Sequence, residues 1–83
     1  MNISNYSKIK NLDGLQRYVE HRVPTGGFLR AVLENDLKEA CIRADLENIE
    51  VIPIYVHWLY NKAPVICWGS PEKVKAWLAG RVV

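Results

Sequence analysis

The sequence predicts an all-α fold, a compact four-helix domain with short loops. Three observations predict it. Apolar residues recur at spacings of three and four over residues 12–19, 29–44 and 52–59, the period of one helix face. Ser70-Pro71-Glu72 reads as a helix start, with Ser at the N-cap, Pro at the first helical position and Glu in the first turn. The 83 residues hold no repeat, linker or low-complexity segment, so they make one domain near the small end for independent folding.

Residues 1–10 are expected to form an irregular lead-in. The first helix is expected over 11–22, with Asn11 as N-cap and a stripe of Leu12, Leu15 and Val19 flanked by Tyr18. Gly14 weakens its first turn, and Pro24 ends it by Arg22 or Val23, because the residue before proline avoids the α region. The second and strongest helix is expected over 25–44, capped by Thr25. Its inner face is Leu29, Val32, Leu33, Leu37, Ala40, Cys41 and Ala44. Its outer face is Arg30, Glu34, Asn35, Lys38 and Glu39, with Glu34 and Lys38 as an i,i+4 ion pair.

The third helix is expected over 48–61, capped by Asp45 or Asn48. Val51–Val56 is rich in β-formers and invites a strand. Against it, Glu47, Glu50, His57 and Asn61 lie at helical spacings, opposite a stripe of Ile52, Tyr55, Val56 and Leu59. Pro53 then kinks this helix or gives it a late start. Val65–Gly69 is an apolar loop. The fourth helix runs over 71–79 with Val74, Trp77 and Leu78 inward, and Gly80 ends it. The expected core is Leu15, Val19, Leu29, Val32, Leu33, Leu37, Ala40, Ile52, Val56, Leu59, Val74 and Leu78.

Composition bounds the function classes. The chain is 49% hydrophobic with three Trp and four Tyr. Tyr55, Trp58, Tyr60 and Trp68 are not expected to fit together inside so small a core, which leads to a homo-oligomer, most simply a dimer. The net charge of +2 is too weak to argue for nucleic acid. Its distribution is bipolar. Residues 31–50 hold six carboxylates against two cations, while residues 1–30 hold five cations against two carboxylates and residues 51–83 four against one. Such bipolarity stabilises a fold internally or supports association of unlike surfaces. Cys41 and Cys67 fall outside any CxxC pattern, the N-terminus has no apolar signal region, and no run of about 18 apolar residues occurs. The expectation is a cytoplasmic protein with no membrane span and two buried, reduced cysteines.

Catalysis needs a nucleophile, a base and an orienting group. Ser70 or Cys67 with His21 or His57 are the candidates, and nothing in the sequence joins them, so no catalytic residue is expected. Two His and two Cys without paired spacing do not make a metal site, and no cofactor is expected. Glu34, Asp36 and Glu39 belong to a solvated helix face. The candidate ligand site is a helix start. Gly26 and Gly27 lead into the second helix, where free N–H groups and partial positive charge favour an anion. Arg17, His21, Arg22 and Arg30 lie nearby in sequence. Tyr18 and Thr25 adjoin them. Trp68, before the Ser70 cap, is a second candidate, able to stack on a base. The ordinary reading of the same residues is a glycine turn between close helices, and a staple of Trp68 or Cys67 against Val74.

A longer string has a resemblance. Arg17-Tyr18, Pro24-x-Gly26-Gly27-Phe28-Leu29-x-Ala31-Val32-Leu33-x-Asn35-Asp36-Leu37-x-Glu39-Ala40, Arg43-Ala44-Asp45, Tyr60-Asn61 with Pro64, and Cys67-Trp68-Gly69-Ser70-Pro71-Glu72-Lys73-Val74 with Trp77 resemble short accessory proteins of phages, prophages and integrative elements. The likeness covers residues 15–78 and departs from the group at Ile49–Ile54, which is unusually β-branched. It implies a mobile-element protein in a bacterial host cytoplasm that works by binding. The expected role is inhibition of host antiviral defence, as an anti-CRISPR or similar protein, by holding a phosphorylated nucleotide signal or blocking a host defence protein. A DNA-binding regulator is the alternative, although the third helix carries almost no Arg or Lys with which to read a duplex.

Overall fold

The computed structural model describes Tyr6 and residues 9–80; the expected lead-in lies largely outside them. Six α-helices and one 3₁₀ turn follow in order: α1 (Leu12–His21), α2 (Gly27–Leu33), α3 (Leu37–Arg43), α4 (Leu46–Ile49), α5 (Ile52–Lys62), the 3₁₀ turn Val65–Cys67 and α6 (Pro71–Leu78). The described residues are all-helical and form no strand, so Val51–Val56 enters a helix. The count of four is corrected, because both long helices are broken.

The second expected helix breaks at Asn35. Its φ of +61° is left-handed, the Asn35 N–H bonds to the Val32 carbonyl, and the Asp36 N–H bonds to the Ala31 carbonyl. These bonds close the end of α2 as a Schellman motif. Asp36 then starts α3 by accepting from the Glu39 N–H at 3.2 Å. The break rotates the α3 face. Ala40 stays buried, but Leu37 is 67% exposed and Cys41 is exposed, against the expected inner face. Ala44, half-buried, follows α3 in extended backbone.

The third expected helix breaks before Pro53. Asp45 caps the single turn of α4 by accepting from the Asn48 N–H at 2.7 Å, and Pro53 sits in the first turn of α5, where its missing N–H costs nothing. Val56 is exposed rather than buried, and Trp58 takes the place on the inner face. Thr25 does not cap α2; Gly26 occupies that position with extended backbone, and no side chain bonds there. Asn11 stands at the N-cap of α1 without a side-chain cap bond.

The core is Ile9, Leu15, Tyr18, Leu29, Ala31, Val32, Leu33, Ala40, Ile52, Tyr55, Trp58, Leu59, Cys67, Val74 and Trp77. Val19 and Leu78 pack against it half-buried. Aromatic rings enter because their polar atoms find partners. The Tyr18 hydroxyl donates to the Cys67 carbonyl at 2.7 Å, and the Trp77 indole N–H donates to the Tyr18 carbonyl at 2.8 Å. The Tyr55 hydroxyl donates to Oδ1 of buried Asn48 at 2.9 Å. Of the eight aromatic residues, only Tyr60 is exposed. The excess apolar surface is aliphatic instead. α6 starts as its sequence dictates, with Ser70 accepting from the Lys73 N–H at 3.2 Å, and ends at Gly80 with φ +77°.

Candidate functional site

The structure separates the expected ligand residues into three places. Arg17 and His21 share the outer face of α1 with Asp13, Gln16 and Glu20, a solvated face of mixed charge. Gly27 and Arg30 lie in a cleft between α2 and α3 with Glu34, Asp36, Glu39 and Arg43. Tyr18, Arg22, Trp68 and Ser70 belong to the junction of α1, the 3₁₀ turn and α6.

That junction is structural chemistry. Tyr18 is buried, so its ring is not a platform for a base. Burial raises its hydroxyl pKa above the usual tyrosine value. Arg22 leaves α1 with a left-handed φ of +56°, lays its guanidinium 3.7 Å from the centroid of the Trp77 ring and donates to the Trp77 carbonyl at 2.9 Å. Trp68 packs half-buried against the core, and the Ser70 hydroxyl is engaged as the α6 cap. Cys67 is fully buried, and burial pushes its thiol up to about 11, so it carries little thiolate at neutral pH.

Of the two glycines, only Gly27 lies against α3. A Cβ on Gly27 would lie 2.9 Å from Nη1 of Arg43, so the bare backbone leaves room for that guanidinium. Gly26 faces open space, and Thr25 makes only a 3.3 Å contact to the Gly26 carbonyl. In the cleft, Nε of Arg30 holds Glu34 at 2.8 Å and Nε of Arg43 holds Glu39 at 3.0 Å. Each guanidinium keeps Nη groups beyond these pairs. Arg43 is the member of this cleft that the sequence reading missed; its i,i+4 spacing from Glu39 was the available signal.

His57 receives Tyr6, whose hydroxyl lies 3.0 Å from Nδ1. Among the described residues, no group of three or more His, Cys, Asp or Glu gathers as metal ligands. No described helix is long and apolar enough to cross a membrane.

A surface that the sequence reading did not single out lies at α4. Leu46 is 86% exposed, and Ile49, one turn later, is exposed as well. Ile42, exposed on the last turn of α3, precedes them at a spacing of four. Asp45, Glu47 and Glu50, their neighbours in sequence, are exposed as well. Lys10 reaches Glu47 at 3.0 Å and Asp45 at 3.8 Å, and the bond to Glu47 raises the Lys10 pKa. The chain signal was Leu46 directly after the Asp45 cap, a large apolar residue with no turn beneath it to cover it.

Comparison of the chain with protein-family models, curated proteins and solved structures returns no match.

Proposed function

We propose that the chain is a non-enzymatic accessory protein of a mobile element that inhibits host antiviral defence by docking on a defence protein. The resemblance described above supplies the setting. The observation that carries the binding mode is the segment from the end of α3 through α4, where Ile42, Leu46 and Ile49 are all exposed and Leu46 most of all, at 86%. An apolar centre ringed by charge is the anatomy of an interface hot spot. The carboxylates Asp45, Glu47 and Glu50 outnumber the one cation paired with them, Lys10, which favours a partner whose apolar pocket is bordered by Lys and Arg. Proteins that handle nucleic acid carry such basic surfaces.

Nucleotide capture is the second reading, favoured by the open Nη groups of Arg30 and Arg43 beside Gly27. Three carboxylates in the same cleft weigh against an anion there. Duplex reading has less support, since α3 presents Glu39 and the Asp36 cap beside Lys38 and Arg43.

The test is protection of phage in a host with an active defence system. Leu46→Glu should abolish protection with the far-ultraviolet circular dichroism unchanged. Affinity for the captured defence protein should fall about 30-fold or more, the ~2 kcal/mol of a hot spot. Full protection by Leu46→Glu overturns the docking surface. Micromolar calorimetric binding of a cyclic or linear nucleotide that disappears in Arg43→Ala would replace it with the nucleotide reading.

A further inference from the structure

A second cleft lies between α1 and α5. It is lined by Gln16, Val19 and Glu20 from α1 and by Trp58 and Lys62 from α5. Its volume of about 350 Å³ falls at the small end of ligand sites, which run roughly 300–1,000 Å³. Trp58 is its buried member, 7% exposed. A buried indole N–H ordinarily finds an acceptor, as that of Trp77 does on the Tyr18 carbonyl at 2.8 Å. The Trp58 N–H meets no acceptor among the described residues, yet no wholly buried polar side-chain atom among them lacks a partner. This donor therefore belongs to the small open part of Trp58, which borders the cleft. The charges on the two walls are opposite and unjoined. Glu20 reaches only the His21 ring, at 4.0 Å, and among the described residues Lys62 meets no carboxylate within 4.0 Å.

We infer that this cleft binds a small zwitterion, a free amino acid with an apolar side chain. Its carboxylate accepts from the Lys62 ammonium and from the Trp58 N–H. Its ammonium donates to Glu20, with the Gln16 amide oxygen one turn earlier on α1 as a further acceptor. Its side chain lies against Val19 and the Trp58 ring. The opposed charges select this class. A simple anion gains Lys62 and is repelled by Glu20, and a simple cation gains Glu20 and is repelled by Lys62. A molecule carrying both charges pairs with both walls, so the repulsion excludes its singly charged analogues. The cleft shares no residue with the α4 docking surface, and neither depends on the other.

The indole N–H resonances of the ¹⁵N-labelled chain test the inference. Of the three Trp, Trp58 is assigned by the signal lost in Trp58→Phe. Titration with L-leucine should move the Trp58 signal downfield and saturate, with a dissociation constant of about 1 mM or tighter. The Trp77 signal should stay in place, because its N–H is already bonded inside the fold. 4-Methylpentanoate, which lacks only the ammonium, and 3-methylbutylamine, which lacks only the carboxylate, should each bind roughly tenfold more weakly or worse. Glu20→Gln and Lys62→Met, both at exposed positions, should weaken L-leucine by a similar, roughly tenfold factor with helicity unchanged. No saturable shift at Trp58 overturns the inference. So does either singly charged analogue binding as tightly as L-leucine, or an affinity unaltered in either charge variant.

Discussion

Arg22 and the two cysteines show how single residues decide this structure. Arg22 holds a left-handed backbone that costs an ordinary residue about 1 kcal/mol or more, and its contacts with Trp77 offset that cost. Arg22→Ala should destabilise the protein by about 2 kcal/mol, by losing both the cation–π contact and a bond to a carbonyl. Arg22→Gly should cost less, because glycine adopts positive φ freely. Urea unfolding of the pair measures the difference, and equal losses would show that the backbone is not strained. The cysteines make a second contrast. Iodoacetamide at pH 8 should modify exposed Cys41 and spare buried Cys67, whose thiol is pushed up to about 11; intact mass before and after denaturant reads it directly. The sequence reading placed both thiols inside. It could do so for Cys41 only because a regular period was extended through a turn.

That turn is the main lesson at the scale of the elements. Leu33, Leu37 and Ala40 keep their helical spacing across Asn35 and Asp36, so periodicity alone continues through the break. The local chemistry did not. Asn tolerates the left-handed region, and Asp36-x-x-Glu39 is a capping-box pattern at the start of a new helix. Asp36→Ala should cost about 1 kcal/mol through the lost cap. Asn35→Gly should be close to neutral, and Asn35→Val distinctly worse, since a β-branched side chain resists φ near +61°. Thermal melts of the three variants give the order; Asn35→Val at wild-type stability would mean that the left-handed turn is not required. By contrast, α6 and its Ser70-Pro71-Glu72 start were legible throughout, because cap, first-turn proline and terminal glycine act locally. At Pro53 the sequence left open a kink or a late start, and α5 takes the late start.

Across the whole molecule, fold class was legible because three-and-four spacing is a property of the chain itself. The candidate surfaces were not. Whether Leu37, Leu46, Val56 or Val65 is covered depends on which elements lie over it, and only the assembled helices fix that. Tyr55, Trp58, Tyr60 and Trp68 do not all enter the core, as expected, since Tyr60 is exposed; composition does not say which rings bury, and Tyr18, Tyr55 and Trp77 do so because their hydroxyl or indole groups find carbonyl or amide partners across the fold. This internal arrangement carries a global consequence for alkaline stability. Tyr18 on α1, Tyr55 on α5 and Cys67 in the 3₁₀ turn all have their pKa raised by burial. Each therefore keeps its proton more tightly folded than unfolded. Stability from these groups is complete below about pH 9, where the unfolded thiol begins to ionise. It falls as pH rises, because only the unfolded chain then releases protons. For Cys67 the window runs from 9.0 to about 11, with the tyrosines adding from 10.0 upward. Each group contributes a slope approaching ~1.4 kcal/mol per pH unit inside its window. Urea unfolding at half-unit steps from pH 7 to 11 should show a plateau and then a steepening decline. Cys67→Ala should lose stability at pH 7 yet show a shallower decline between pH 9 and 10. A decline of unchanged slope in that variant would mean that Cys67 does not couple folding to pH.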